Sequence, residues 1–485
     1  MEAFAPTTTA AAFHACALVS YDDLKAMLAK TDRTTTAGLL LAATVWQCEG
    51  DVVRAESTLR RAAESASDED RSYLTDFLAP LLISRGLFTR AAVQLAATTS
   101  HALELGRSAL QSVVDGANGA VGISEQRAAA IHGSLADLDD DVLRMRIHQR
   151  LALAAYYRGD VAEALHDAAE GIRLASLLGA DRFACTLHSV AYATHHTSTG
   201  DVEATWQHAT DLTRKATRGG DASYRALGLA ALYELAAERG DDRVLEDARR
   251  ELHATPLPEQ YRERFAHGIA DVLRLAWAGD FATCRNVLAV LKDTTGRTDG
   301  ERALCRAFLS LVTVVLGDRD TARRMCRQAI SISARPDQHV AAHELRYRRL
   351  ARALAAIAGE LVGDLVRGRR AADARFLQAD PDIALLVNLS PGANLTGVPV
   401  TVRGYARLVA AVRDHVQGRP TTDPLTAMEV SILRLVSAGR NAPQIATLLD
   451  RSPHTVRTHL RNIGSKLDAH GRLEALSRAR QLGLL

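Results

Sequence analysis

After Gly159-Asp160, apolar side chains fall at Val161, Ala164, Leu165, Ala168, Ile172 and Ala175. Three- and four-residue spacing of this kind lays one oily stripe along an α-helix. The Gly-Asp pair predicts a turn, with glycine closing one helix and aspartate opening the next. The same alanine- and leucine-rich texture, without alternating β-branched runs, fills most of the chain, so an all-α fold is expected. Proline placement agrees. None falls between Pro80 and Pro256, whereas seven of the twelve lie beyond residue 380, which suits long helices first and turns later.

The turn recurs at Gly50, Gly86, Gly122, Gly159, Gly200, Gly240, Gly279, Gly317 and Gly359, spaced 36 to 42 residues apart. Six of these glycines precede Asp, and Ala55, Ala91, Ala164 and Ala322 each stand five residues after one. A small side chain there lets two helices approach closely. One helix pair per repeat predicts an α-solenoid. The segment Tyr157-Arg-Gly-Asp-Val-Ala-Glu-Ala-Leu165 resembles a tetratricopeptide repeat, although the units are longer and lack the early Trp and Gly marks. Residues 376–402 change texture and are expected to close the solenoid. A further helix over about 404–416 and a polar Pro/Gly stretch at 417–424 follow. The expected division is a repeat region at 1–410, a linker at 411–424 and a small four-helix unit at 425–485.

That last unit carries the strongest local signals. Thr426-Ala-Met-Glu429 reads as a capping box opening a helix with Val430, Leu433 and Val436, which Gly439 ends. Asn441 caps a second, short helix with Pro443 in its first turn and Ile445, Ala446, Leu448 and Leu449 inward. After Asp450-Arg451, Ser452 caps a third helix and Pro453 takes its first position. At about 100° per residue, Val456, Leu460, Ile463 and Leu467 form a packing stripe. His454, Arg457, Thr458, Arg461 and Ser465 take the opposite face. A helix anchored on one side and cationic on the other suits the major groove of double-stranded DNA. Arg457 and Arg461 can each donate two hydrogen bonds to guanine, and the Thr458 methyl can touch thymine. Asn441, Ser452, His454, Thr455 and Lys466 are expected at the DNA backbone or rim.

The residues Leu425-Thr426, Glu429, Leu433, Gly439, Ile445-Ala446, Leu449, Ser452, Thr455-Val456, His459-Leu460, Asn462-Ile463, Lys466-Leu467 and Glu474-Ala475 together resemble the LuxR-type, or NarL-type, helix-turn-helix domain. The resemblance implies a helix-turn-helix over 442–461, base-facing Arg457, Thr458 and Arg461, and a fourth helix near 472–482 that dimerises on DNA, hence a homodimer. Two positions depart from the pattern. Arg451 stands where Ile or Val is usual, and Gly464 lies inside the third helix, where glycine costs about 1 kcal/mol relative to alanine. Helical repeats ahead of such a domain are similar in architecture to the MalT-like regulators without their ATPase, since no GxxxxGK[ST] occurs.

Charge sharpens the division. Residues 425–485 hold nine Lys/Arg and four Asp/Glu, a net of +5, against 50 and 53 in the remainder, a net of −3. This is the distribution of a nucleic-acid module joined to a near-neutral body. The six scattered cysteines contain no CxxC pair and are expected to be reduced and buried. No apolar run approaches the length of a membrane span and residues 1–20 carry no basic leader, so a cytoplasmic protein without membrane contact is expected. No GxSxG or HExxH occurs, and neither catalysis nor a cofactor is expected. Cys185, His188, Tyr192, His195 and His196 share one side of a helix. No metal is expected there, and His188, Tyr192 and His195 are the candidate wall of an effector groove. The reading is a DNA-binding transcriptional regulator whose repeats sense a small molecule or protein. The alternative is a repeat scaffold with a tail of little DNA affinity.

Overall fold

The computed structural model describes residues 5–98, 103–255, 265–293, 298–334, 342–363, 380–390, 392–417, 427–449, 451–466, 469 and 471–481. Among the described residues every regular element is helical. The first half holds α1 (Thr9–Leu18), α2 (Tyr21–Lys30), α3 (Thr36–Glu49), α4 (Val52–Ser65), α5 (Asp68–Ser84), α6 (Phe88–Ala96), α7 (Glu104–Ala117), α8 (Val121–Leu135), α9 (Asp141–Arg158) and α10 (Val161–Leu177). Then come α11 (Asp181–Thr194), a π-turn (His195–Thr199), α12 (Val202–Gly219), α13 (Ala222–Arg239) and α14 (Asp242–Ala254). The chain continues with α15 (Phe265–Trp277), α16 (Phe281–Asp293), α17 (Asp299–Val315), α18 (Arg319–Ser333) and α19 (Ala342–Leu361). It ends with α20 (Pro381–Val387), α21 (Arg403–Val416), α22 (Ala427–Ser437), α23 (Ala442–Leu448), α24 (Pro453–Lys466) and α25 (Arg472–Gln481).

From α3 onward, consecutive helices pack in pairs, and the first helix of one pair packs on the first helix of the next, as α7 on α9, α13 on α15 and α17 on α19. This is an α-solenoid. The two helices of a pair have different burdens. The first helices α9 and α13 each bury 12 of 18 residues, whereas the second helices α10 and α12 bury 6 of 17 and 5 of 18. A first helix meets neighbours on several sides, while a second helix needs only one oily stripe.

The turns follow the Gly-Asp rule. Gly159 adopts φ 82°, its amide reaches the Tyr156 carbonyl and the Asp160 amide reaches the Ala155 carbonyl. The Asp160 side chain then accepts from the Glu163 amide to start α10. Left-handed backbone of this sort suits glycine because it has no Cβ to clash. Two expected turns move. Gly122 lies inside α8 and the turn falls at Gly119 (φ 84°); Gly359 lies inside α19 and the turn falls at Gly363 (φ 78°). The Gly119 turn places Ser124 five residues on, and Ser124 is as fully buried as Ala55, Ala91, Ala164 and Ala322 at the same step. Pro80 is tolerated inside α5 rather than ending it.

Both ends of the repeat region fold back on the row of first helices. α1 packs on α3, α5 and α11. α21 crosses α13, α15, α17 and α19, and continues to Val416, past the boundary expected at 410. The α21 contact is close: a Cβ on Gly404 would stand 1.9 Å from the Ala237 carbonyl oxygen, and the Gly404 carbonyl accepts from Trp277 Nε1 at 3.0 Å. All six cysteines are buried and none is in a disulfide. Among the described residues no helix is long and apolar enough to cross a membrane.

Candidate nucleic-acid interface

The four helices α22 to α25 share a core of Ile432, Leu433, Val436, Ile445, Ala446, Val456, Ile463, Ala475 and Ala479. Caps fix where the helices begin. Asn441 Oδ1 accepts from the Gln444 amide, and Gln444 Oε1 accepts from the Asn441 amide, each at 3.0 Å. This reciprocal pair satisfies donors that the start of α23 would otherwise leave open. Ser452 Oγ accepts from the Thr455 amide at 3.0 Å and lies 2.8 Å from Thr455 Oγ1. Gly439 (φ 82°) closes α22. The expected cap at Thr426 and the packing residue Leu467 lie outside the described residues.

α24 is split as its periodicity demands. Val456 and Ile463 are buried and Leu460 is half-buried, while Arg457, Thr458 and Arg461 are exposed. One turn separates Arg457 from Arg461, a rise of about 6 Å, with Thr458 beside Arg457, so the three present one face. Asn441 and Ser452 are exposed and Thr455 is half-buried at the helix starts. The side chains of His454, Ser465 and Lys466 lie outside the described set. Leu448 is a correction: it is 59% exposed rather than inward. On a helix it lies about 100° from the Ile445, Ala446 and Leu449 direction, and α23 is too short to wrap around it.

One contact was not foreseen. Arg472, at the start of α25, donates through Nη2 to the carbonyls of Val436 (2.8 Å) and Arg440 (3.2 Å). It thus ties the fourth helix to the open C-terminal end of α22. Its only sequence signal was a cation at a helix start, where the dipole disfavours one. Arg451 is exposed, and its amide bonds the Ala446 carbonyl at 2.9 Å, so the turn closes through backbone and does not need a buried side chain at that position.

Residues 423–479 match the luxR family of bacterial regulatory proteins, the GerE description. This segment is a luxR-family helix-turn-helix domain. Over 61 residues the chain is 43% identical to the HTH-type transcriptional regulator MalT of Vibrio cholerae and 41% identical to that of Yersinia pestis. Each match covers 13% of this chain and 7% of the relative's length. The likeness therefore belongs to the luxR-family domain, and the solenoid stands outside it.

The histidines expected to wall a groove part company. His188 is buried, its Nδ1 3.0 Å from His208 Nδ1. Burial, then the neighbouring His208, pushes its pKa down to about 4. Tyr192 is buried and donates to Glu234 Oε2 at 3.1 Å. Half-buried His195 stacks on His208, with centroids 5.5 Å apart. Only His195 of these three lines a small open cleft, beside His196, Glu238, Arg239, Arg346 and Thr401. Under the cleft lies a buried polar network. Glu238 accepts from Arg346 (3.3 Å), Tyr405 (3.0 Å) and His196 (2.8 Å), and Glu234 accepts from Tyr192 and Tyr347 (3.1 Å each). Burial opposes the charge on Glu238, but Arg346 and His196 hold its carboxyl down at about 2. Glu234 and Glu238, one turn apart on α13, thus bind α11, α13, α19 and α21 together.

Proposed function

We propose that the chain is a cytoplasmic transcriptional regulator that binds operator DNA as a homodimer. Arg457, Thr458 and Arg461 meet base edges, and Asn441, Ser452, His454, Thr455 and Lys466 lie along the backbone or rim. What supports this most is the outward face of α24: two arginines and a threonine stand exposed opposite a packed Val456–Ile463 edge, on a luxR-family domain.

The tetratricopeptide-like solenoid is the receiving part. Its row of first helices is covered in part by α1 and α21, so an effector has less of that face available than an open solenoid would offer. The cleft lined by His195, Arg239, Arg346 and Thr401 lies where α19 and the residues before α21 meet the solenoid body. α21 ends ten residues before α22 begins. A small molecule or protein that shifts this junction acts on the segment leading into the DNA-binding domain.

The test is binding of the full chain to double-stranded DNA as salt rises. Affinity that falls about tenfold or more between 50 and 200 mM salt is expected, with a residual preference for particular sequences. Absence of DNA binding at low salt contradicts the reading.

A further inference from the structure

Two groups of histidine and carboxylate side chains inside the solenoid bring their donor atoms within 4.8 Å of one another: His196, Glu234 and Glu238, and His132, Glu163 and Asp167. They differ in one respect. In the first group all four carboxylate oxygens accept hydrogen bonds from His196, Arg346, Tyr405, Tyr192 and Tyr347. That group is complete and leaves no carboxylate oxygen without a hydrogen-bond donor.

The second group is not complete. Glu163 and Asp167 stand one turn apart on α10 and face the same way, and His132 reaches them from α8. His132 Nε2 lies 3.0 and 3.2 Å from the two oxygens of the fully buried Asp167. His148, on α9, places Nδ1 2.8 Å from Asp167 Oδ1. Glu163 Oε2 is held by Arg158 at 2.5 Å, but Glu163 Oε1 is buried and has no hydrogen-bond partner. A histidine–aspartate pair explains the His132 contact and leaves that oxygen unexplained.

We infer that His132, Glu163 and Asp167 bind a divalent cation of the zinc type. Ligands about 2.0–2.1 Å from a tetrahedral zinc ion are separated by roughly 3.3 Å, close to the His132–Asp167 distances. The donor set is one imidazole and two carboxylates, with a fourth position left for water. His148 is the outer-shell partner that orients the Asp167 carboxylate. Glu163 and Asp167 outweigh the single Arg158 charge, so the group has a net negative charge for the ion to neutralise. The His132 side chain is 32% exposed and gives the ion a way in. The bound ion ties α8 to α10.

The experiment is calorimetric titration of the full chain with zinc chloride, with thermal unfolding in parallel. Wild type is expected to bind zinc and to unfold at a higher temperature with it. His132→Ala and Glu163→Gln, each checked for wild-type helical content by circular dichroism, are expected to weaken binding at least tenfold and to abolish the thermal shift. Glu238→Gln, in the complete group, is expected to bind like wild type. No zinc binding by wild type, full affinity in either His132→Ala or Glu163→Gln, or loss of binding in Glu238→Gln overturns the assignment.

Discussion

Arg146 and Arg150 lie inside the solenoid against Asp76, and Arg346 lies inside it against Glu238 and the Thr401 carbonyl. Arg457 and Arg461 stand on the surface of the luxR-family domain. In the solenoid each guanidinium is surrounded by protein. Arg146 sits 4.1 Å from the Phe13 ring and 4.6 Å from the Phe77 ring, joining α9 to α1 and α5. Burial, set against the attraction of Asp76, pulls its pKa down to about 10. Such a cation is consumed by the fold: its field ends on a fixed carboxylate and its removal leaves a buried charge. A cation on the exposed face of α24 keeps its field for phosphates and base edges, and its removal leaves the core untouched. The same residue type thus serves architecture in one region and stands exposed, where we propose it meets DNA, in the other.

The sharpest way to break that contrast is Asp76→Ala. It strands Arg146 and Arg150 without their carboxylate, and a loss of about 3–5 kcal/mol of stability is expected by chemical denaturation. The DNA affinity of the molecules that remain folded should be unchanged. Arg457→Ala and Arg461→Ala should do the reverse, each costing on the order of 1–3 kcal/mol of DNA binding with the unfolding transition unmoved. Gly404→Ala extends the solenoid side. Its Cβ would meet backbone at Ala237, which has little room to yield, so about 1–3 kcal/mol should be lost and α21 loosened, as read by proteolysis at that helix.

Two histidines in the solenoid respond to pH with opposite signs. The lowered pKa of His188 means that its neutral form is folded in. Its contribution is intact above about 6.5 and lost as pH falls towards 4, so wild type should lose about 1–2 kcal/mol relative to His188→Gln by pH 5. His196 has the opposite sign. Burial alone would lower its pKa, but Glu238 raises it above 6.5. Its contribution is present below 6.5 and lost as pH rises through the folded value, so wild type should lose ground to His196→Gln in alkaline solution. The smallest effect is Gly464→Ala. Alanine gains helix propensity of up to about 1 kcal/mol, but its Cβ would lie 3.0 Å from the Ala469 carbonyl oxygen. A change within about 0.5 kcal/mol is expected.

The all-helical solenoid and the small C-terminal domain were legible because both rest on local signals. Gly-Asp turns, the Asn441 and Ser452 caps and the Val456–Ile463 stripe are written within a few residues of where they act. Turn position was less legible where a second glycine competed: Gly119 and Gly363 adopt the left-handed backbone, while Gly122 and Gly359 sit in helices. Long-range burial was not legible at all. Asp76, Asp167, Glu234, Glu238 and Arg346 sit on helices like any solvated residue, and only the return of distant helices encloses them. Docking of α21 on α13 depends on Gly404, a residue that carries no mark of its partner 167 positions away (Tyr405 with Glu238 in the neighbouring contact).

We propose that the outward face of α24 reads base edges. Selecting bound sites from random double-stranded DNA with the full chain, then again with Arg457→Ala, tests it most directly. The wild type should yield a defined site, and the variant should relax the choice of base at one position while keeping the others. A wild type that enriches no sequence, or a variant that binds every sequence equally less well with the same preferences, would contradict it.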